Sequence, residues 1–440
     1  MLYLQGDGFA NRDIESVLPL KWVVAGRCDG SPGSRPSPPM RPDMTVPSCW
    51  VPSVAIPTRQ NCPMLSVGVN LLWCRPGKVG GSEEYLARQL VGLATVAPDI
   101  RGRLVVPPDF PEAHPELVER FELVVGPPAT RSRRGARLLA EARSLPSMLG
   151  DVDVVHHAGG TLPGRIGPRG GRQAAVLTIH DVQYLQFPEY FSKTRRTYLR
   201  LRVPASARHA DVVAVPSEFV KGTVVDGYGV DGADVVVVPH GVDPPSGRDV
   251  ADADDLRARY GLGDRRVLVY PAITHPHKGH RFLIELLAGP WSDPALVLAF
   301  LGGKGAAEDA VQQAIRDGGV ADRVVRPGRV SAADRDGLIA LAEALVFPSE
   351  YEGFGAPVLE AMGLGTPVIC SDQAALPEVA GDAALVLPLH LDAWADALDT
   401  VDAGRAGWIE RGRRRAARFT TATSGAALAD AYRRAAGGRT

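Results

Sequence analysis

No apolar run in this 440-residue chain reaches the roughly 18 residues that a membrane-spanning helix needs, so nothing in it reads as a span. Val17 to Ala25 is too short, and too interrupted by Pro19 and Lys21, for a signal peptide. Cysteine is scarce. The five present, Cys28, Cys49, Cys62, Cys74 and Cys370, are scattered without metal-ligand spacing, which fits a reducing, cytoplasmic compartment. Charge of one sign is lacking too: 49 Lys and Arg against 50 Asp and Glu leave no global field that argues for nucleic acid as a partner. The three-glycine dinucleotide fingerprint is also missing, because GFGAPV and GLGTPV each carry two glycines and then valine. That argues against a nicotinamide-dependent oxidoreductase. GKVGGSEE likewise fails the triphosphate-loop pattern, since Lys78 precedes the glycines.

What the chain does have is length for two or three domains and a regular alternation. Apolar runs LSVGVNLL, LVV, VDVVH, AAVLTIH, DVVAVPS and DVVVVPHG are separated by helical stretches, the pattern of a parallel sheet covered on both faces. A second series of six follows: RVLVYP, ALVLAFLGG, RVVRPG, EALVFPS, PVICSD and ALVLP. The fold class is therefore α/β, with two Rossmann-like domains facing a cleft. Pro244, Pro245, Ser246 and Gly247 mark the linker. The expected division is an N-terminal domain over 64–243, a linker over 244–255, a C-terminal domain over 256–415 and a final helix over 416–440. Residues 1–63, dense in Pro, Ser and Gly, are expected to be disordered.

Glu352 and Glu360 stand eight positions apart in EGFGAPVLEAMGLGTPVI. ALVFPS reads as a strand, EYEGFGAP as a glycine-rich loop, Val358 to Leu364 as helix and PVIC as strand. Glu352 then lies at the carboxyl end of a parallel strand, where open α/β sheets bind ligands, and Glu360 about two turns into the helix. Carboxylates only accept hydrogen bonds, so the pair suits hydroxyl-rich ligands such as sugar and ribose better than phosphate. Read singly, the same glutamates would be a loop and a helix residue in water.

Residues 352–388, EGFGAPVLEAMGLGTPVICSDQAALPEVAGDAALVLP, resemble the C-terminal signature of the family-four (group 1) retaining glycosyltransferases, which have the GT-B fold and use nucleotide-sugar donors. Looser matching runs from about Met64 to the end, which implies that Met64 is the natural start; a regulatory tail is the alternative. The resemblance implies that Glu352, with Gly353, Phe354 and Gly355, contacts the transferred sugar and its donor, and that Glu360 holds ribose hydroxyls. It makes Lys278, in YPAITHPHKGH, the cation that steadies the leaving diphosphate. Many members carry an arginine six residues before that lysine. Here the position is Ala272, a departure shared with the mannosyltransferase-like branch.

By the same resemblance, Gly81 lies on the loop bordering acceptor and donor diphosphate, and His180, at the end of AAVLTIH beside Asp181, lies against the sugar. A neutral His180 would hydrogen-bond a hydroxyl and a protonated one would steady negative charge. Gly303 and Lys304, in LGGKG after a strand, are placed to receive the nucleotide. Ser217 reads as a helix N-cap, Gly241 in VVPHGVD as permitting a tight, structural turn, and Arg329 as either a second cation or a surface residue.

His275, His277 and His280 lack helical spacing and an acidic neighbour, and the family generally needs no metal, so no cofactor is expected. The expected partners are a nucleotide-sugar donor and a saccharide or lipid-linked acceptor, with no nucleic acid. The basic stretch FSKTRRTYLRLRVPASAR would suit a peripheral contact at the inner face of a membrane, although one buried and one solvated face explain it as well. The expected function is hexosyl transfer, mannose being the first choice of sugar, in glycan or polysaccharide biosynthesis. The non-catalytic alternative is a degenerate donor-binding subunit, for which Ala272 is the sole support.

Overall fold

The computed structural model describes residues 64–76, 81–128, 134–163, 173–243 and 250–438. The proline-rich head through residue 63, Lys78, Gly80 and the Pro244–Gly247 signal lie outside the described residues.

The apolar runs form strands because each is bounded by Gly, Pro or polar residues and presents side chains to helices on both faces; all five residues of Leu296–Phe300, for instance, are buried. β1 (Leu65–Asn70), β2 (Ile100–Val106), β3 (Glu122–Val125), β4 (Val154–His157), β5 (Ala174–Thr178), β6 (Val212–Val215) and β7 (Val235–Val237) make one sheet, ordered β3-β2-β1-β4-β5-β6-β7. β8 (Arg266–Tyr270), β9 (Leu296–Phe300), β10 (Val324–Val325), β11 (Ala344–Phe347), β12 (Val368–Ser371) and β13 (Leu385–Leu387) make a second, ordered β10-β9-β8-β11-β12-β13. Every pairing in both is parallel. The first sheet has one strand more than the six expected. The run LVV occurs twice, at 104–106 and 123–125, and both copies are strands, the second a partly exposed edge.

Among the helices, α1 (Gly81–Val96) follows β1, α2 (Lys193–His209) carries the basic stretch, α3 (Glu218–Tyr228) follows β6 and α4 (Ala332–Ala340) precedes β11. α5 (Ala356–Leu364) links β11 to β12, and α6 (Arg405–Ala416) and α7 (Thr421–Gly437) end the described chain. α7 packs on the first sheet's side of the molecule: Leu428, Ala431 and Tyr432 share a buried cluster with Val67, Val69 and Leu90. Its approach to α1 is backbone against backbone, because a Cβ on Gly92 would overlap the Thr421 carbonyl and one on Gly425 would overlap Gly92. Fully buried His156 ties the helix down, with its Nδ1 2.8 Å from the Tyr432 hydroxyl and Nε2 2.7 Å from that of Thr178. Burial pushes its pKa down to about 3, so the ring is neutral.

In both sheets the strand order reverses beside the first strand, between β1 and β4 and between β8 and β11. Crevices at such switch points are where this architecture binds ligands. The loops leaving β1, β4, β8 and β11 therefore define where to look.

Candidate functional site

The loop from β11 to α5 reaches its position through specific backbone requirements. Gly355 has φ +91°, a left-handed conformation that closes the loop onto the helix, and Pro357 sits in the first turn, where its missing N–H costs nothing. The helix thus starts at Ala356 rather than Val358. Glu360 is its fifth residue, just over one turn in, against the two turns expected. On the neighbouring loop, Gly279 (φ +69°) packs so closely on the Pro348 carbonyl that no side chain fits, and the Tyr270 hydroxyl donates to the Lys278 carbonyl. These contacts bring Lys278 Nζ to 2.5 Å from Glu352 Oε1, with the two side chains only 19% and 13% exposed.

Glu360 meets the other half of the molecule. Its Oε1 is 2.9 Å from the Arg88 guanidinium of α1, and Arg88 also pairs with Glu84. Arg335 of α4 lies 4.0 Å from Glu84, completing an alternating four-charge group. Burial alone would raise the Glu84 pKa; Arg88 and Arg335 outweigh it and hold it below the usual range.

His180 follows β5. Its Nε2 donates to the Ala158 carbonyl at 3.0 Å, burial lowers its pKa, and buried Nδ1 has no partner. A neutral ring protonated on Nε2 has Nδ1 as its hydrogen-bond acceptor. A Cβ on Gly353 would overlap the His180 carbonyl, so the glutamate-bearing loop touches the histidine-bearing loop directly. Ser217 caps α3 as expected, accepting from Val220 N at 3.2 Å, and in addition donates to the Gly353 carbonyl at 2.7 Å. Glu378 completes that contact by accepting from Glu218 N at 2.9 Å and Phe219 N at 3.0 Å, an anion on the α3 N-terminus.

These groups line a cleft of about 910 Å³ that contains Gly81, His180, Lys278, Gly303, Glu352, Gly353, Phe354, Gly355 and Glu360. Of the ten residues singled out from sequence, the structure thus brings nine together. Lys304 is exposed and does not line the cleft. Buried Ala272 does line the cleft, where Arg88, Arg329 and Arg335 stand with Lys278 as cations.

His240 stands beside Gly241 in the VVPHGVD turn. It is stacked between Tyr85 of α1, at 4.0 Å and 17°, and Phe354, at 4.5 Å and 6°, and burial holds its pKa well down. The sequence signal was its place at the carboxyl end of a strand, shared with His180. Arg88 and Tyr85 gave no such signal, being ordinary residues of an amphipathic helix.

On the same wall, His114 Nε2 lies 2.9 Å from Glu83 and Nδ1 3.1 Å from Glu116. Burial opposes the charge, but the two carboxylates outweigh it and raise the pKa. A raised histidine pKa contributes stability in full below the ordinary value near 6.5, and that contribution disappears as pH rises through the folded value. His114→Gln is therefore expected to cost about 1–2 kcal/mol near pH 5.5 and close to nothing above about pH 9. Urea unfolding at both pH values measures it; an equal loss at both would remove the charge from the explanation.

Two family descriptions match the chain: "Glycosyltransferase Family 4" over residues 79–245 and "Glycosyl transferases group 1" over residues 252–415. O-antigen chain mannosyltransferase B of Escherichia coli is 29% identical over 262 residues, which cover 58% of this chain and 67% of that protein. GDP-mannose-dependent alpha-(1-6)-phosphatidylinositol monomannoside mannosyltransferase of Mycolicibacterium smegmatis is 28% identical over 330 residues, 70% of this chain and 81% of the relative. Sucrose-phosphate synthase from Thermosynechococcus elongatus superposes with a TM-score of 0.67 at 20% identity, over 84% of this chain and 98% of the other, a likeness of fold. The two matched segments lie one on each sheet, on either side of the cleft just described, and the chain belongs to the group 1 glycosyltransferases, with the GT-B fold.

Proposed function

We propose that the protein is a retaining hexosyltransferase that moves mannose from a GDP donor to a saccharide or lipid-linked acceptor. The observation that carries this reading is the Lys278–Glu352 pair at 2.5 Å, held against the His180 loop with Glu360 on the next helix. In this reading Glu360 accepts from the ribose hydroxyls, Glu352 and His180 Nδ1 accept from hydroxyls of the sugar, and Gly303 and the loop over 353–355 bring backbone close to the donor. The bond from the anomeric carbon to the β-phosphate oxygen breaks, and negative charge grows on that oxygen. Lys278 turns from Glu352 to steady it, in a cleft where a fixed cation acts more strongly than in water. The acceptor oxygen attacks the same face and its proton passes to the departing phosphate, so configuration is kept. No step needs a metal.

The choice of GDP and mannose is supported by the printed names of the relatives and by Ala272, the feature of the mannosyltransferase-like branch. A lipid-linked acceptor draws support from α2, where Leu201 is 67% exposed among Arg196, Arg200 and Arg202. No helix among the described residues is long and apolar enough to cross a membrane, so such an acceptor would be met at a surface.

A thermal-shift screen against UDP-, GDP- and ADP-sugars tests the donor. GDP-mannose is expected to stabilise the protein by about 2.7 kcal/mol at 100-fold over its dissociation constant. Stabilisation by UDP-sugars alone would overturn the GDP assignment. The anomeric configuration of the product, read by NMR, tests retention, and binding without turnover would support the degenerate subunit.

A further inference from the structure

Arg88 is a charged residue of the cleft with no part in the donor chemistry described above. It lies on α1 of the first half, seven residues after Gly81, so the two share one face of the helix about 10 Å apart, and both line the cleft. Its guanidinium is 2.9 Å from Glu360 Oε1 on α5 of the second half, with the two side chains 24% and 11% exposed. Arg88 also pairs with Glu84, whereas its bond to the Gly241 carbonyl is long, at 3.5 Å. The two carboxylates therefore hold it.

Glu360 is the carboxylate assigned to the ribose. A vicinal diol donates two hydrogen bonds to a carboxylate, and Arg88 occupies one of the oxygens, so ribose and guanidinium compete for Oε1. Separating so buried a pair is unfavourable unless each freed charge finds another partner. The glutamates have one. Arg335 of α4 lies 4.0 Å from Glu84; burial opposes its charge, and Glu360, Asp336 and Glu84 together outweigh that, so neither Glu84 nor Glu360 is left without a cation when Arg88 turns away. For Arg88 the new partner is the diphosphate expected beside Gly81, on its own face of α1. An arginine fork binds phosphate oxygens through two parallel N–H bonds, as it does a carboxylate. The second half brings no side-chain charge at Ala272, and its Lys278 is paired with Glu352.

We propose that Arg88 is a donor-binding residue: as the nucleotide-sugar enters, the ribose hydroxyls take Glu360, and the guanidinium exchanges that carboxylate for the donor's diphosphate. The proposal rests on the glycosyl-transfer reading above and adds to it a cation from the first half. It couples the two parts of the donor, because a nucleoside alone displaces Arg88 without giving it a new anion.

Calorimetric titration of the full chain with GDP, guanosine, UDP, uridine and inorganic pyrophosphate tests the exchange. Arg88→Met is expected to weaken the tighter-binding nucleoside diphosphate about tenfold, the loss of one charged hydrogen-bonded contact. The same variant should tighten the corresponding nucleoside about threefold, since Glu360 is then uncontested. Arg88→Lys, which keeps the charge and loses the fork, should fall between wild type and Arg88→Met for both ligands. Urea midpoints establish that the variants are folded. A change of the same sign for nucleoside and diphosphate, or none in either, would mean a structural role and overturn the exchange. Pyrophosphate reads Arg88 without the nucleoside and should also weaken about tenfold in Arg88→Met. If neither GDP nor UDP binds the wild type, the donor reading falls; weakened pyrophosphate binding would then still support Arg88 as a diphosphate ligand, and unchanged binding would overturn it.

Discussion

Lys278→Ala protein is expected to transfer hexose about 10²–10³-fold more slowly than wild type, the effect of removing one group aimed at developing charge in a closed site. Ala272 makes the loss larger than it would be beside a second cation at that position, although Arg329 and Arg335 also line the cleft. Glu352→Gln should lose transfer comparably and retain nucleotide binding, since Glu360 rather than Glu352 is placed for the ribose. Stability separates chemistry from collapse. Lys278→Ala leaves the Glu352 carboxylate, 13% exposed, without the ammonium 2.5 Å away and should cost up to about 3 kcal/mol. The double variant Lys278→Ala/Glu352→Gln removes both charges and should recover most of that stability without recovering activity. Single-turnover rates and urea midpoints measure the two; transfer by Lys278→Ala within tenfold of wild type would remove the lysine from the mechanism.

Gly92→Ala is expected to be the most destabilising single-methyl change in the first half of the chain. The added carbon would overlap the Thr421 carbonyl, and because the obstacle is backbone, no rotamer change relieves it. α7 must then lift from α1, withdrawing Leu428 and Tyr432 from the core and Thr421 from the cleft wall. Overpacking of this kind costs about 1–3 kcal/mol, and more where nothing can yield. Gly222→Ala on α3 is the control: a Cβ there meets nothing within 4 Å, so a neutral or slightly stabilising result is expected. Thermal midpoints compare the variants, and limited proteolysis before Thr421 detects a released helix. Equal midpoints for Gly92→Ala and wild type would refute backbone contact at this crossing.

Much of the site was legible because its signals are local. The α/β class follows from apolar runs of strand length alternating with helical periodicity, and the strand, loop, helix, strand unit around Glu352 could be read from its own glycines and prolines. Lys278, by contrast, came from the family resemblance, through the short motif YPAITHPHKGH. One strand was missed. The seventh strand was lost because LVV recurs and an edge strand with exposed residues carries a weaker apolar signal. Lys304, expected with Gly303 to offer backbone amides to the nucleotide, has an exposed side chain outside the cleft lining.

What the sequence determined by itself was the set of elements and the backbone permissions in its loops, because turn chemistry and burial period depend on neighbours a few positions apart. The tertiary structure alone decided who meets whom across the cleft: Arg88 with Glu360, His240 between Tyr85 and Phe354, and Ser217 on the carbonyl of Gly353. Such pairs are separated by more than a hundred positions and obey no periodicity. Their geometry comes from the packing of two sheets and a last helix that fits against α1 only where two glycines let backbone touch backbone.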